Sequence, residues 1–225
     1  PHPYGGKIEK HEKTGEPTGR LIQYPAMNLI RRVIPKLSTA EYEEAIRYAA
    51  SLFLPYGITS VQDVIVYIRQ HTRIYERMSE KHSLPVRLYI LEYIDSLQKA
   101  RQMVALHHHF HNPMCTFGGW KLAIDGGEAG GTALMYDKNL PGSKRAFPLH
   151  RPEEFKKIVK LLHESGLQIS IHVVGDEGMD ICLDAYEKAL PSASPSKYRH
   201  RLEHANYPTQ KNLDRMQKLG IIDSV

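Results

Sequence analysis

The chain has 225 residues, enough for one large domain or a domain and a half. Its 41% hydrophobic and 24% charged residues match an ordinary globular protein, and no apolar run reaches the roughly 18 residues of a membrane helix. The net charge of +5 does not indicate nucleic-acid binding, because Lys and Arg alternate with Asp and Glu along the chain. We therefore expect neither nucleic acid nor membrane as a partner.

The two cysteines, Cys115 and Cys182, lie far apart in the sequence. This spacing excludes a disulfide framework and a CxxC zinc ribbon, and it favours a reducing, cytoplasmic compartment. The opening residues, from Pro1 to Gly6, lack the hydrophobic stretch of a signal peptide. We expect this start to be a cut inside a longer protein.

Residues 1–37 are rich in Gly, Pro and charge, with a strong turn signal at Gly15–Gly19. They are expected to form a long loop or small hairpin that leads into the main domain. The first helix should begin at Ser38, because Ser38–Glu41 fits a capping box in which both side chains satisfy free backbone N–H groups. The sequence therefore divides into a leading segment, 1–37, and a main domain, 38–225.

Short β-type runs alternate with helical patterns after this first helix. The predicted strands are Ile58–Val61, Val86–Leu91, Lys121–Ile124, Leu167–Val174, His200–His204 and a run that opens at Ile221. The alternation predicts a parallel α/β sheet, and several consecutive apolar residues in a strand suit a sheet buried on both faces. A doubly wound sheet and a (β/α)₈ barrel both fit this pattern, although the lack of GxGxxG and P-loop motifs disfavours nucleotide binding. Because the chain stops inside a predicted strand, we expect a sheet that is not closed.

Three of these strands end in polar residues that can bind a metal ion. Lys121 and Asp125 belong to the third strand and its end, His172 lies in the fourth, and His204 ends the fifth. Functional residues of parallel α/β folds gather at the carboxyl ends of strands, where side chains of neighbouring strands can share one ion. A lone buried histidine is more often structural, so the spacing alone leaves the structural and the metal-binding interpretations open.

Several motifs together resemble the amidohydrolase superfamily, and within it the amidohydrolase family 3, or YtcJ-like, branch. The motifs are Gly57–Asp63, Lys121–Gly126, Ile171–Asp176 and Arg201–Ala205, supported by Thr132–Leu134 and Gly15–Gly19. The resemblance covers nearly the whole chain in the right order. It implies a partial (β/α)₈ TIM-type barrel, in which this chain supplies strands two to seven with a parallel sheet and outer helices.

The resemblance also implies a ligand set. Lys121 would be a carboxylated, bridging lysine, and His172 and His204 would be the other ligands of a site with one or two divalent ions. Zn²⁺ is the expected metal. Asp63, Asp125 and Asp176 would lie close to these ligands without binding the ion. The implied reaction is hydrolysis of an amide or other C–N bond of a small molecule by metal-activated water.

The sequence departs from the family in two ways. No HxH pair precedes Gly57, and the chain ends before an eighth strand with its catalytic aspartate. We therefore expect a fragment with little or no hydrolysis of its own, from a parent enzyme that is active. The alternative is an incomplete, non-catalytic barrel that folds or forms a homo-oligomer over its open edges. A third hypothesis is a different barrel that binds a phosphorylated substrate through loops after strands seven and eight.

Other polar residues have simpler interpretations. His107–His111 contains HxH by letter, but a solvated helix end is expected there in preference to opportunistic nickel or zinc binding. Asp63 fits a polar strand end equally well, and Asp176 is expected to cap the helix that it begins. Glu203 should form an ion pair on the strand face opposite His204. The Gly-rich stretch 125–131 is either a mobile substrate loop or a plain connector.

Overall fold

The computed structural model describes residues 2–67, 69–106, 110–190 and 197–224. The described strands are β1 (Lys7–Lys10), β2 (Pro17–Ile22), β3 (Ser60–Val66), β4 (Arg87–Tyr93), β5 (His111–Asn112), β6 (Cys115–Ala123), β7 (Gln168–Val173), β8 (Arg201–His204) and β9 (Ile222–Ser224). The described helices are α1 (Tyr24–Arg31), α2 (Thr39–Phe53), α3 (Arg69–Glu80), α4 (Leu97–Leu106), α5 (Pro152–Glu164), α6 (Asp176–Ala189) and α7 (Gln210–Leu219). None of these helices combines the length and the apolar character needed to span a bilayer.

The strands form two sheets. β1 and β2 make an antiparallel pair, and the second sheet has the order β3-β4-β6-β7-β8-β9, with β5 antiparallel to β6. The β3–β4, β4–β6 and β8–β9 ladders are parallel. Parallel neighbours need a crossover connection, which the helices between consecutive strands supply. The predicted α/β alternation is confirmed.

Local sequence signals placed several element ends correctly. Ser38 caps α2, and the Ser38 N–H donates to Glu41 Oε2 at 2.7 Å while the Glu41 N–H donates to Ser38 Oγ at 3.3 Å. Gly220 closes α7 in the left-handed conformation, with φ 64°. The strand that the sequence predicts from Lys121 begins earlier in the structure, at Cys115. Its first half is hard to predict because Gly118 and Gly119 interrupt the apolar pattern of the strand.

Residues 1–37 contain the expected hairpin, β1–β2, and also a helix, α1, that the sequence did not predict. This helix has only eight residues, Pro25 in its first turn and no side-chain cap, so its local signal is weak. Ala26 is its buried residue. The division at residue 37 between a leading segment and a main domain stays a prediction.

The chain forms two compact units. The first comprises Pro1–Pro35, Ala123–Lys160 and Ile171–Val225, and the second comprises Lys36–Leu122 and Leu161–Ser170. In the first unit, Arg215 of α7 binds three carboxylates of α6: Asp180 at 2.7 Å, Asp184 at 2.7 Å and Glu187 at 3.0 Å. This network fixes one helix against the other.

The core of the second unit is built around Trp120 of β6, which is fully buried. Its indole Nε1–H donates to Ser165 Oγ at 2.8 Å, and its ring meets Phe117 edge to face at 5.4 Å. A buried indole needs such an acceptor because an unpaired N–H costs about 1–3 kcal/mol. The polar contact therefore fixes the position of a large apolar side chain.

Gly119 is a position where a side chain cannot be accommodated. Its φ of 146° is unfavourable for other residues, and a Cβ there would lie 2.1 Å from the carbonyl oxygen of Gln168. We expect Gly119→Ala to destabilise the fold by about 3 kcal/mol or more, and to lower the Tm by roughly 6–12 °C. Thermal unfolding followed by circular dichroism measures this shift.

Gly127→Ala is the matched control. Gly127 has φ −94°, and a Cβ built on it would meet no atom within 4 Å. Its substitution should change stability by no more than about 0.5 kcal/mol. Equal Tm values for the two variants would contradict the proposed steric conflict.

Candidate metal centre

His172 lies near the carboxyl end of β7, between two fully buried apolar residues. Ile171 and Val173 have no exposed surface, whereas 24% of the His172 side chain is accessible. Successive side chains of a strand point to opposite faces, so the apolar neighbours are directed away from the imidazole. The strand thereby holds a half-buried imidazole in a fixed position.

His204 ends β8 in an unusual backbone conformation. His204 and Ala205 have φ values of 77° and 38°, which non-glycine residues rarely adopt. The Ala205 N–H donates to the Val173 carbonyl at 2.9 Å, and that of Tyr207 donates to the Val174 carbonyl at 3.2 Å. These bonds hold the strained turn against the end of β7.

The turn brings the rings of His172 and His204 together. Their centroids are 4.8 Å apart, and the ring planes cross at 73°. With zinc–nitrogen bonds of about 2.0–2.1 Å, two imidazoles on one tetrahedral ion have centroids roughly 5 Å apart. The separation of the two centroids therefore matches that of two imidazoles on one ion. Among the described residues, no three His, Cys, Asp or Glu side chains form a complete ligand group.

Asp125 is the buried acid beside this pair. Its Oδ1 lies 3.8 Å from His172 Nε2, and only 1% of the residue is exposed. The backbone N–H groups of Leu134, Val174 and Gly175 donate to its carboxylate at 2.9, 3.0 and 2.9 Å. Burial raises the pKa of Asp125 to about 7, although the three donors favour the charged form.

A cavity of about 300 Å³ opens beside His172 and Asp125. Residues 20–24 and Met27 line one part of it, and the Gly-rich stretch with Gly126, Gly127, Gly130 and Thr132 lines another. Its size and mixture of apolar and polar lining suit a small organic molecule. The glycine-rich stretch 125–131 thus lines a cavity, as a substrate loop would.

The other proposed ligand, Lys121, belongs to the second unit. It lies in β6 with only 2% exposed, and its Nζ is 3.4 Å from Ser170 Oγ. Asp63 is in the same unit, where its carboxylate accepts from the Tyr75 hydroxyl at 2.7 Å and from the Ile65 N–H at 3.2 Å. Asp63 is thus engaged by neighbours of β3 and α3.

Asp176 does not cap α6 as predicted, because Gly175 occupies the cap position directly after β7. The Asp176 carboxylate instead accepts from the backbone N–H groups of Tyr136, at 3.0 Å, and Glu177, at 2.8 Å. The expected ion pair of Glu203 is confirmed, with Arg201 Nε at 2.8 Å.

The histidine run falls partly outside the described residues, at 107–109. His111, its last member, is exposed on β5, with Nδ1 2.7 Å from Thr116 Oγ1. The interpretation of the run as a solvated helix end therefore stays a prediction.

Sequence patterns missed two parts of this site. The sequence predicts a loop or hairpin for residues 20–24, which line the cavity, and the adjacent Gly15–Gly19 motif indicates only a turn and a family resemblance. The donors to Asp125 are backbone groups, including that of Leu134 in the motif Thr132–Leu134. Backbone donors leave no residue-type signal, because any residue except proline supplies an N–H.

Comparison with known proteins supports one family. The sequence model of the amidohydrolase family matches residues 1–225. The chain is 27% identical to Protein LONG AFTER FAR-RED 3 of Arabidopsis thaliana, with 99% of the chain and 40% of that protein covered. It is also 27% identical to Putative amidohydrolase YtcJ of Bacillus subtilis, covering 98% of the chain and 41% of that protein. N-substituted formamide deformylase of Arthrobacter pascens is 25% identical, with 98% and 42% covered.

The fold has a counterpart among solved structures. An uncharacterized metal-dependent hydrolase from Pyrococcus horikoshii superposes with a TM-score of 0.73 at 23% identity, covering 97% of this chain and 44% of that one. This likeness confirms the predicted fold class, a partial (β/α)₈ barrel. The chain spans about two fifths of the length of the curated relatives that it matches. With a family match over its whole length and the corresponding fold, the chain belongs to the amidohydrolase family, in its family 3 branch.

Proposed function

We propose that the protein to which this chain belongs is a metal-dependent hydrolase that cleaves the C–N bond of a small amide or formamide. The observation that carries this proposal is the pair His172 and His204, 4.8 Å apart beside buried Asp125. Two relatives support the reaction class, since one is named a formamide deformylase and another a putative amidohydrolase.

His172 and His204 would bind the ion through their imidazole nitrogens, with Zn²⁺ the expected metal. Lys121, carboxylated, would be a further ligand; this role is inferred from family resemblance and from the burial of its side chain. A bound divalent ion would lower the pKa of water to about 7 and polarise the substrate carbonyl. We assign no catalytic base within this chain.

Asp125 would act by positioning. The charge of a carboxylate 3.8 Å from His172 Nε2 would favour a ring orientation that directs an N–H towards it. The same carboxylate holds the backbone at Leu134, Val174 and Gly175. The Asp125 carboxylate would therefore set both the orientation of the His172 ring and the position of the backbone around it.

The substrate would occupy the cavity beside His172 and Asp125. At about 300 Å³ it is at the lower end of the range for small-molecule sites, which suits an amide with one modest substituent. We further propose that the enzyme is cytoplasmic, and that homo-oligomerisation covers exposed sheet edges.

The isolated 225-residue chain is a separate case. It spans only 40–42% of its curated relatives, so we expect it to show little or no hydrolysis when purified alone. Robust turnover by this chain would overturn that expectation and leave the proposed reaction intact.

The reaction class is tested with the full-length protein and a panel of N-substituted formamides and acetamides. We expect release of amine and of formate or acetate. Activity should disappear after chelation and return when Zn²⁺ or another divalent ion is added. Turnover that survives complete metal removal, or no turnover across the panel by metal-loaded protein, would overturn the proposal.

His172→Ala and His204→Ala should each reduce bound metal at least about tenfold, because each removes one ligand of a shared ion. Plasma mass spectrometry of the purified protein and calorimetric titration with Zn²⁺ measure the loss. His11→Ala is the control, since His11 lies on the exposed surface of the same unit. Unchanged metal content in either variant would contradict a shared site.

Asp125→Ala should destabilise the protein by about 3 kcal/mol or more, because three backbone N–H groups lose their buried acceptor. It should also weaken zinc binding by roughly 10–100-fold through loss of imidazole orientation. Chemical unfolding and zinc titration separate the two effects. Asp223→Ala, at an exposed position of β9, should change neither. An Asp125→Ala protein with native stability would refute the anchoring role.

A further inference from the structure

Gly5 and Gly6, which precede β1, are buried between two segments of the first unit. A Cβ on Gly6 would lie 2.6 Å from the backbone nitrogen of Ala26 and 3.1 Å from its Cβ. A Cβ on Gly5 would lie 2.6 Å from the carbonyl oxygen of Leu149, and the φ of Gly5 is 70°. Because such contacts are too close for any carbon atom, a side chain at either position would displace a neighbouring segment.

The segment on the far side of the two glycines is fixed to the end of β6. The Leu149 N–H donates to the carbonyl of Ile124 at 2.8 Å, directly before Asp125. Gly5 is already against the Leu149 carbonyl, so the backbone at Gly5 and Gly6 has no room to move in that direction. A side chain at Gly6 would therefore displace helix α1.

Helix α1 lies between Gly6 and the cavity beside His172. Tyr24 and Met27 of this helix line the cavity, whereas Ala26 is fully buried against Gly6. At 3.6 residues per turn, Ala26 projects about 130° around the helix from the midpoint of Tyr24 and Met27. A shift of α1 away from Gly6 would therefore carry Tyr24 and Met27 into the cavity and narrow it.

We infer that Gly5 and Gly6 determine substrate size, because their lack of side chains leaves α1 far enough back for the N-substituent of an amide. This inference rests on the proposed hydrolase function and names the residues that limit its substrate. The cavity is only about 300 Å³, so a small inward shift of α1 removes a significant part of it. Tyr24 and Met27 present mainly carbon atoms, which suits an apolar substituent.

The test compares Gly5→Ala and Gly6→Ala with the unaltered full-length, metal-loaded protein, using N-methylformamide and N-benzylformamide and measuring release of formate. The kcat/KM for the benzyl substrate, divided by that for the methyl substrate, should fall roughly tenfold or more in both variants. Changes of about one methylene in a close-fitting apolar pocket have effects of this size.

Gly15→Ala is the matched control. The φ of Gly15 is 72°, close to that of Gly5, but a Cβ there would meet no atom within 4 Å. The strain of the backbone is thus the same and the steric conflict is missing. The ratio of the two kcat/KM values should not change in this variant, and a fall like that of Gly5→Ala would overturn the inference.

A purely structural role of the two glycines makes a different prediction. Loss of folded protein lowers the rates with both substrates by the same factor, which leaves the ratio of kcat/KM values unchanged. An unchanged ratio in folded Gly5→Ala and Gly6→Ala proteins would therefore overturn the inference.

Met27→Ala tests the same side of the cavity without altering either glycine, and it decides the matter if the glycine variants do not fold. Removal of the Met27 side chain should enlarge the cavity and raise the ratio of kcat/KM values roughly threefold or more. A ratio that stays the same or falls would contradict the inferred limit on substrate size.

A binding measurement separates failure of this inference from failure of the proposed reaction. N-benzylformamide is titrated calorimetrically into metal-depleted protein, where turnover does not interfere. Weaker binding to Gly6→Ala than to the unaltered protein and to Gly15→Ala supports the inference, whatever the activity. Equal affinity, or no detectable binding to the unaltered protein, would overturn it. Turnover with an unchanged substrate ratio in the folded glycine variants would retain the hydrolase proposal alone.

Discussion

The carboxylate of Asp125 is the constraint on which the candidate site depends. It joins the segment at Leu134 to the end of β7 at Val174 and Gly175 through three charge-assisted hydrogen bonds, and it reaches His172 from the same position. Hydrogen bonds to a charged group contribute roughly 1.5–3 kcal/mol each, which reduces the cost of burying this carboxylate without cancelling it, since burial still raises its pKa to about 7. The donors come from segments far apart in the chain, so folding must be largely complete before this acid is satisfied. The geometry of the site is thus coupled to the integrity of the fold.

The end of β8 shows a second dependence of the site on backbone geometry. Two consecutive residues, His204 and Ala205, have positive φ values, and a strand that continued in the extended conformation would direct the His204 side chain elsewhere. Hydrogen bonds to the carbonyls of Val173 and Val174 compensate for this turn. The separation of 4.8 Å between the two imidazoles is therefore produced by the backbone of two neighbouring strand ends. A change of rotamer at either histidine would separate the two rings.

The sequence predicted those features that depend on local residue type. The capping box at Ser38, the left-handed end of α7 at Gly220 and the strand that carries His172 all follow from short-range pattern, and the structure contains each of them. The sequence does not predict helix α1, because its eight residues include a proline and have no side-chain cap, so the local pattern for a helix is weak. The cap of α6 was misassigned because Asp176 has the usual cap residue type, whereas a bond to Tyr136 engages its carboxylate. The anchoring of Asp125 depends on backbone donors distant in sequence, which no residue pattern reveals.

The residues of the candidate metal centre and those of the cavity wall come from different kinds of structure. His172 and His204 are fixed by strands of a sheet, whose register leaves little freedom. Gln23 and its neighbours come from the turn between β2 and α1, which can change in length or conformation without disturbing that sheet. Metal chemistry and substrate selection would then be free to diverge separately within one fold, as sites grafted on a common scaffold do.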